Sequence, residues 1–96
     1  MLNAQERAKL RSLSNMLKDL VFVGKEGVSD TVVDQVNDNL YAHELIKIKV
    51  NRNAPNEIKQ IANEICEKCD CELVSTIGSK ILVYKPTNKP KFAHLL

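Results

Sequence analysis

The chain predicts a single compact α/β domain, in the order α-β-α-β-α-β-β, with helices packed on a mixed four-stranded sheet. Three observations carry this prediction. Helical and strand-like hydrophobic periods alternate along the chain. Glycine or proline stands at several of the junctions. The last two strand-like runs are separated only by Gly78-Ser79, the length of a tight hairpin. At 96 residues, 44% of them hydrophobic and 27% charged, the chain can fill one modest core and lacks the polar bias of a disordered segment.

Residues 3–20 place Leu10, Leu13, Leu17 and Leu20 at the spacing of one helical stripe. At 100° per residue, Arg7, Arg11 and Lys18 fall within about 40° of one another on a neighbouring face, so the first helix is expected to carry a basic ridge. Leu20 to Val23 is a short valine-rich run bounded by Gly24, which reads as a buried strand. Beyond Gly27, Ser29 suits an N-cap, Asp30 and Asp34 suit the positive end of a helix, and Val33, Val36 and Leu40 form its stripe.

Leu45 to Arg52 alternates, with Ile46, Ile48 and Val50 on one face and Lys47 and Lys49 on the other. Pro55 is expected in the first turn of a third helix, with Ile58, Ile61, Ala62, Ile65 and Cys69 in register. Glu72 to Ile77 and Lys80 to Lys85 form the closing hairpin. From Pro86 onward there is proline and no period, so the domain is expected over 1–87 and a loosely held, flexible tail over 88–96. Crossover helices after the first two strands imply a mixed sheet, with the hairpin adding an antiparallel edge. If those helices share one face, the other needs different cover or stays open, lined by Lys47 and Lys49.

The formal net charge of +2 conceals an uneven distribution. Residues 28–45 hold four acidic residues and no Lys or Arg, whereas 46–53 hold three cations and 78–96 four, neither with an acid. Gly24-Lys25-Glu26-Gly27 stands between a strand and a helix start. Glycine lets a ligand approach the backbone closely, and the amides of a following helix N-terminus favour an anion such as phosphate. Lys25 adds to that attraction and Glu26 opposes it. The structural alternative for such a loop is a simple chain reversal.

The strand-borne GKEG followed by a helix, then ELIKIKV at Glu44 to Val50 and IGSKILVYKP at Ile77 to Pro86, resembles the CRM domain, named for chloroplast RNA splicing and ribosome maturation, and its single-domain bacterial members of the YhbY type. The likeness covers residues 1–87. It implies an RNA-binding domain similar in fold to the C-terminal domain of a bacterial translation initiation factor, with a glycine loop acting like that of KH domains. It also implies a role with the precursor of the large ribosomal subunit. Two departures stand out: Glu26, where family loops more often hold a neutral or basic residue, and Lys85, where arginine is frequent and would offer a planar fork.

The residues expected to bind RNA are Gly24, Lys25 and Gly27 of the loop, Arg7, Arg11 and Lys18 of the first helix, and Lys47, Lys49, Lys80 and Lys85 of the sheet. With four aromatic residues in the chain, backbone and shape readout is expected rather than a stacking platform. The alternative is a protein-interaction module docking on a ribosomal protein or assembly factor through its acidic helices. The expected partner is RNA rather than DNA or a membrane, and the protein is expected to be a cytoplasmic monomer.

Cys66, Cys69 and Cys71 are close enough in sequence to suggest a metal site. A fourth ligand is lacking beyond His43 and His94, and Cys69 falls in the apolar register of its helix, so core cysteines and no metal are expected. His43 reads as a boundary residue and His94 as a tail residue without a role. No phosphate-binding loop lysine, HExxH or Ser/His/Asp frame is present, which argues against an enzyme and against a cofactor.

Overall fold

In a computed structural model, residues 2–96 are described, with elements α1 (Ala4–Leu13), β1 (Asp19–Val23), α2 (Asp30–His43), β2 (Leu45–Val50), α3 (Ile58–Cys69), β3 (Glu72–Ile77) and β4 (Lys80–Tyr84). The order is the one the sequence predicts. The sheet runs β1-β2-β4-β3, with β1 parallel to β2 and β4 antiparallel to both of its neighbours. Helix α2 joins adjacent strands. Helix α3 carries the chain from β2 past the position that β4 later fills.

Strand alternation divides the core in two. Val21, Val23, Ile46, Ile48, Ile81 and Val83 point to α2 and α3, where Val36, Leu40, Ile61 and Ile65 meet them. On the opposite face Leu45, Leu82 and Tyr84 join Val74 and Leu10 of α1 in a second, smaller cluster, with Leu13, Leu17 and Leu95 against it. Helix α1 and the end of the chain therefore cover part of the face that the crossover helices leave, and the rest stays open.

The first helix is shorter than its leucine stripe implies. It opens with a reciprocal cap, the Asn3 side chain accepting from the Glu6 amide at 2.8 Å and the Glu6 carboxylate from the Asn3 amide at 3.0 Å. It ends at Leu13, where the Ser12 and Ser14 hydroxyls donate to the Lys9 and Arg11 carbonyls at 2.6 and 2.7 Å and compete for helical acceptors. A 3-10 turn over Ser14–Met16 follows. Leu20 and Lys18 are thus not on α1, and the expected Arg7/Arg11/Lys18 ridge is not a helical one. Pro55 likewise precedes α3, whose N-cap is Glu57.

Helix α2 closes on Glu44, which has φ of +66° and a fully buried side chain. Its carboxylate accepts from the Thr87 amide at 2.9 Å, the Leu95 amide at 3.0 Å and His94 Nδ1 at 2.5 Å. Burial alone would push this carboxyl up; the two amides and His94 outweigh it and hold it below the ordinary carboxylate value. Within the segment expected as a tail, His94 and Leu95 contact Glu44, as does Thr87 just before it. A buried carboxylate demands donors, and backbone N–H groups of an aperiodic stretch leave no trace in side-chain periodicity.

Candidate nucleic-acid interface

Because β1 and β2 are parallel, their carboxyl ends open on the same edge of the sheet, and so do the loops that leave them. One is Gly24-Lys25-Glu26-Gly27, the other Asn51-Arg52-Asn53. The Asn51 amide donates to the Val23 carbonyl at 2.8 Å, holding the second loop beside the first. Within the first, the Gly27 amide donates to the Gly24 carbonyl at 3.0 Å and closes a four-residue turn with Lys25 and Glu26 exposed at its apex.

The two glycines have different reasons to be there. Gly27 is buried with φ of +67°, and a Cβ on it would lie 3.2 Å from Pro55 Cγ, so its bareness is a condition of the turn. Gly24 has no left-handed backbone, and a Cβ there would meet only Asn53 Oδ1 at 3.8 Å and Asn51 Nδ2 at 3.9 Å. Its bareness keeps the loop surface low. In front lies an open concavity of about 500 Å³ lined by Phe22, the glycine loop, Thr31 and Asn53.

The Lys25 and Glu26 amides make no backbone hydrogen bond among the described residues, and α2 begins at Asp30 behind Ser29, whose hydroxyl accepts from the Val32 amide at 3.3 Å. Unpaired amides, a helix start and the Lys25 ammonium attract an anion. The Glu26 and Asp30 carboxylates oppose it.

From this loop the open part of the sheet continues as a row. Phe22 pairs with Lys49, Lys49 with Lys80, and Lys80 with Ile77, all on the face away from α2 and α3. Phe22 is 53% and Ile77 52% exposed. A hollow lined by Asn15, Lys47, Ile77 and Lys80 adjoins another lined by Arg11, Asn15 and Ile77. The surface thus runs without interruption from the glycine loop through Lys49 and Lys80 to Arg11 on α1.

The residues named from sequence divide accordingly. Gly24, Lys25, Lys49, Lys80, Lys47 and Arg11 share this surface, with Gly27 beneath it. Lys18 is exposed between α1 and β1. Lys80 is partly neutralised, its Nζ lying 3.0 Å from Asp19 Oδ2, and Lys47 Nζ donates to the Leu17 carbonyl at 3.3 Å. Arg7 lies elsewhere: its guanidinium donates to the Leu73 carbonyl and, at 3.4 Å, to that of Val74, fastening α1 to β3. Lys85 follows the far end of β4, where its Nζ donates to the Cys69 carbonyl at 3.1 Å and caps α3. Both have a structural task that periodicity could not reveal, since each partner is a backbone carbonyl distant in sequence.

Sequence reasoning missed Arg52, Asn53 and Phe22 as members of the site. The first two were legible in principle: two strands joined by a helix and paired in parallel must bring their following loops together. Cys66 and Cys71 meet across the turn that ends α3, while Cys69 is buried with Sγ 3.9 Å from the Val33 carbonyl, and no group of three or more His, Cys, Asp or Glu among the described residues is arranged to hold a metal. No helix of the described residues is long and apolar enough to cross a membrane.

The chain is similar to several known proteins. The chain is 34% identical over 91 residues to the "Probable RNA-binding protein YqeI" of Bacillus subtilis, covering 95% of each chain. It is 33% identical over 91 residues to an "RNA-binding protein" of Haemophilus influenzae, covering 94% of this chain and 91% of that one. The solution structure of the hypothetical protein SAV1595 from Staphylococcus aureus superimposes with a TM-score of 0.79 at 33% identity, covering 95% of both chains. Residues 2–85 match the CRS1/YhbY (CRM) domain, and with the strand–glycine loop–helix unit and the sheet order above, the chain belongs to that family.

Proposed function

We propose that this protein binds RNA, and that its target is ribosomal RNA in the precursor of the large ribosomal subunit, where it acts as a cytoplasmic, monomeric assembly factor with a binding rather than a catalytic role. The family and the names of the relatives support RNA as the partner. One observation carries the assignment of the surface: the glycine loop, Lys49, Lys80 and Arg11 lie on one continuous open face, although the chain as a whole is nearly neutral. Cations gathered along such a face can meet the phosphates of a nucleic-acid backbone, and a low glycine loop lets one phosphate come close to free amides.

The test is co-sedimentation with precursor large subunits, together with binding to ribosomal RNA fragments over a range of salt. Wild-type protein is expected to travel with the precursor, and its affinity to fall linearly on logarithmic axes as salt rises. Arg11→Glu combined with Lys49→Glu should release it while leaving it folded. Association that survives both changes and is indifferent to salt would mean docking on a protein component instead.

A further inference from the structure

We propose that Phe22 is a stacking platform for an unpaired nucleobase, so that the surface takes single-stranded rather than duplex RNA. The inference rests on the RNA reading above and adds the class of RNA. Phe22, on the edge strand β1, is the exposed aromatic residue of the sheet's open face, with more than half of its surface accessible. A phenylalanine in that position gives up burial that its neighbours Val21 and Val23 obtain in full, so its exposure has no explanation in the core.

Its surroundings fit a nucleotide. Lys49 is its cross-strand partner and Lys80 the next, which puts their backbones ~5 and ~10 Å away at ordinary strand spacing. Gly24 follows two residues later, ~7 Å along the strand, and Phe22 and the glycine loop border the same concavity. A base lying on the ring would thus have cations on one side for its neighbouring phosphates and the free amides of Lys25 and Glu26 on the other. Duplex RNA cannot use such a ring, because its bases are already stacked and only splayed-out bases expose a face.

An apolar protein partner fits less well. Of the exposed apolar side chains on the strands, Leu20 and Phe22 neighbour each other on β1 while Ile77 stands at the other end of the row beyond Lys49 and Lys80, so charge divides the apolar surface, whereas a large protein-binding patch is contiguous. Lys49 makes no hydrogen bond or ion pair among the described residues. An exposed ring beside charge is the arrangement by which proteins hold single strands with little regard to sequence.

The experiment compares wild type, Phe22→Leu, Phe22→Trp and Lys49→Ala against oligouridylate and oligoadenylate of about 12 nucleotides and a hairpin of matched length. Phe22→Leu should weaken single-strand binding by about 5- to 150-fold, with hairpin binding and the thermal midpoint unchanged. Phe22→Trp should keep the affinity, and because the chain contains no other tryptophan, quenching of its emission by the single strand reports stacking directly. Lys49→Ala should reduce the salt slope by about 0.7. If Phe22→Leu binds both RNAs as wild type does and the tryptophan emission does not respond, the stacking role is wrong while RNA binding stands. If wild type binds none of the oligomers or precursor subunits, the RNA reading itself fails and this inference with it.

Discussion

Pro55 closes over Gly27: its ring carbon Cγ lies 3.2 Å from the place a Cβ on that glycine would occupy. The contact joins the turn after β1 to the approach to α3, so the shape of the candidate phosphate loop depends on a residue more than twenty positions away. Gly27→Ala must overcome both the positive φ and this contact, and should lower the urea-derived stability by about 1–2 kcal/mol. Gly24→Ala meets only ordinary contacts and should stay within about 0.5 kcal/mol of wild type. Gly24 is therefore the position at which a bulkier side chain tests the loop as a binding surface. Lost RNA binding in a Gly27 variant would be ambiguous with lost structure.

Two arginines one helical turn apart should separate just as cleanly. Arg7 is half-buried and donates to carbonyls of β3, so Arg7→Ala should cost about 1.5–3 kcal/mol in stability, as for a hydrogen bond to a charged group. Arg11 is exposed beside Ile77. Arg11→Ala should leave stability within about 0.5 kcal/mol and reduce the salt slope of RNA binding by about 0.7. Chemical denaturation and salt-dependent binding on the same two variants check the division, and a reversed outcome would mean that the interface lies on the other side of α1.

Lys85 provides a matching contrast at the far end of the sheet. Its ammonium meets the Cys69 carbonyl at the C-terminus of α3, where Asp70 has turned left-handed with φ of +52°. Lys85→Met keeps the aliphatic stem and should cost about 0.3–1 kcal/mol, with unchanged affinity for RNA. A large drop in affinity would restore Lys85 to the binding surface.

The order of elements was readable because the signals are local: the alternation at Ile46, Ile48 and Val50, the stripe of α3, Ser29 before α2 and Gly78-Ser79 in the hairpin. Each reflects burial or backbone chemistry within a few residues. What escaped the sequence depends on long-range geometry. Arg7 and Lys85 look like free cations until their carbonyl partners are brought near by folding. Arg52 and Asn53 join the site only through the parallel pairing of β1 and β2. The ridge failed because serine hydroxyls ended α1 before Lys18, a competition that leucine spacing does not record.

Glu44 makes a pH-dependent contribution. Its folded carboxyl lies below the ordinary value near 4.5, because donated hydrogen bonds and His94 outweigh the cost of burial. A depressed carboxyl contributes stability that is present above the unfolded-state value and disappears as pH falls through the folded one. Wild type should therefore lose thermal stability on acidification below about pH 4.5. Glu44→Gln should melt lower at neutral pH, with a flatter acid dependence. Calorimetry across the acid range decides it, and parallel curves for the two proteins would show that this carboxylate is not the group responsible.

The thiols should react in a fixed order. The turn that ends α3 lets the Cys71 amide donate to the Cys66 carbonyl at 3.2 Å, which brings the two side chains together. Hydrogen bonding from Cys71 lowers Cys66 despite burial and the nearby Glu72 carboxylate, and the same bond, with burial, raises Cys71. Burial raises Cys69. Since the thiolate is the nucleophile, limited alkylation followed by peptide mapping should label Cys66 first, with Cys69 and Cys71 resisting. Cys71→Ala removes the donor and should slow the labelling of Cys66 although it opens more space around it. Faster labelling in that variant would mean that access, rather than the shared proton, sets the order.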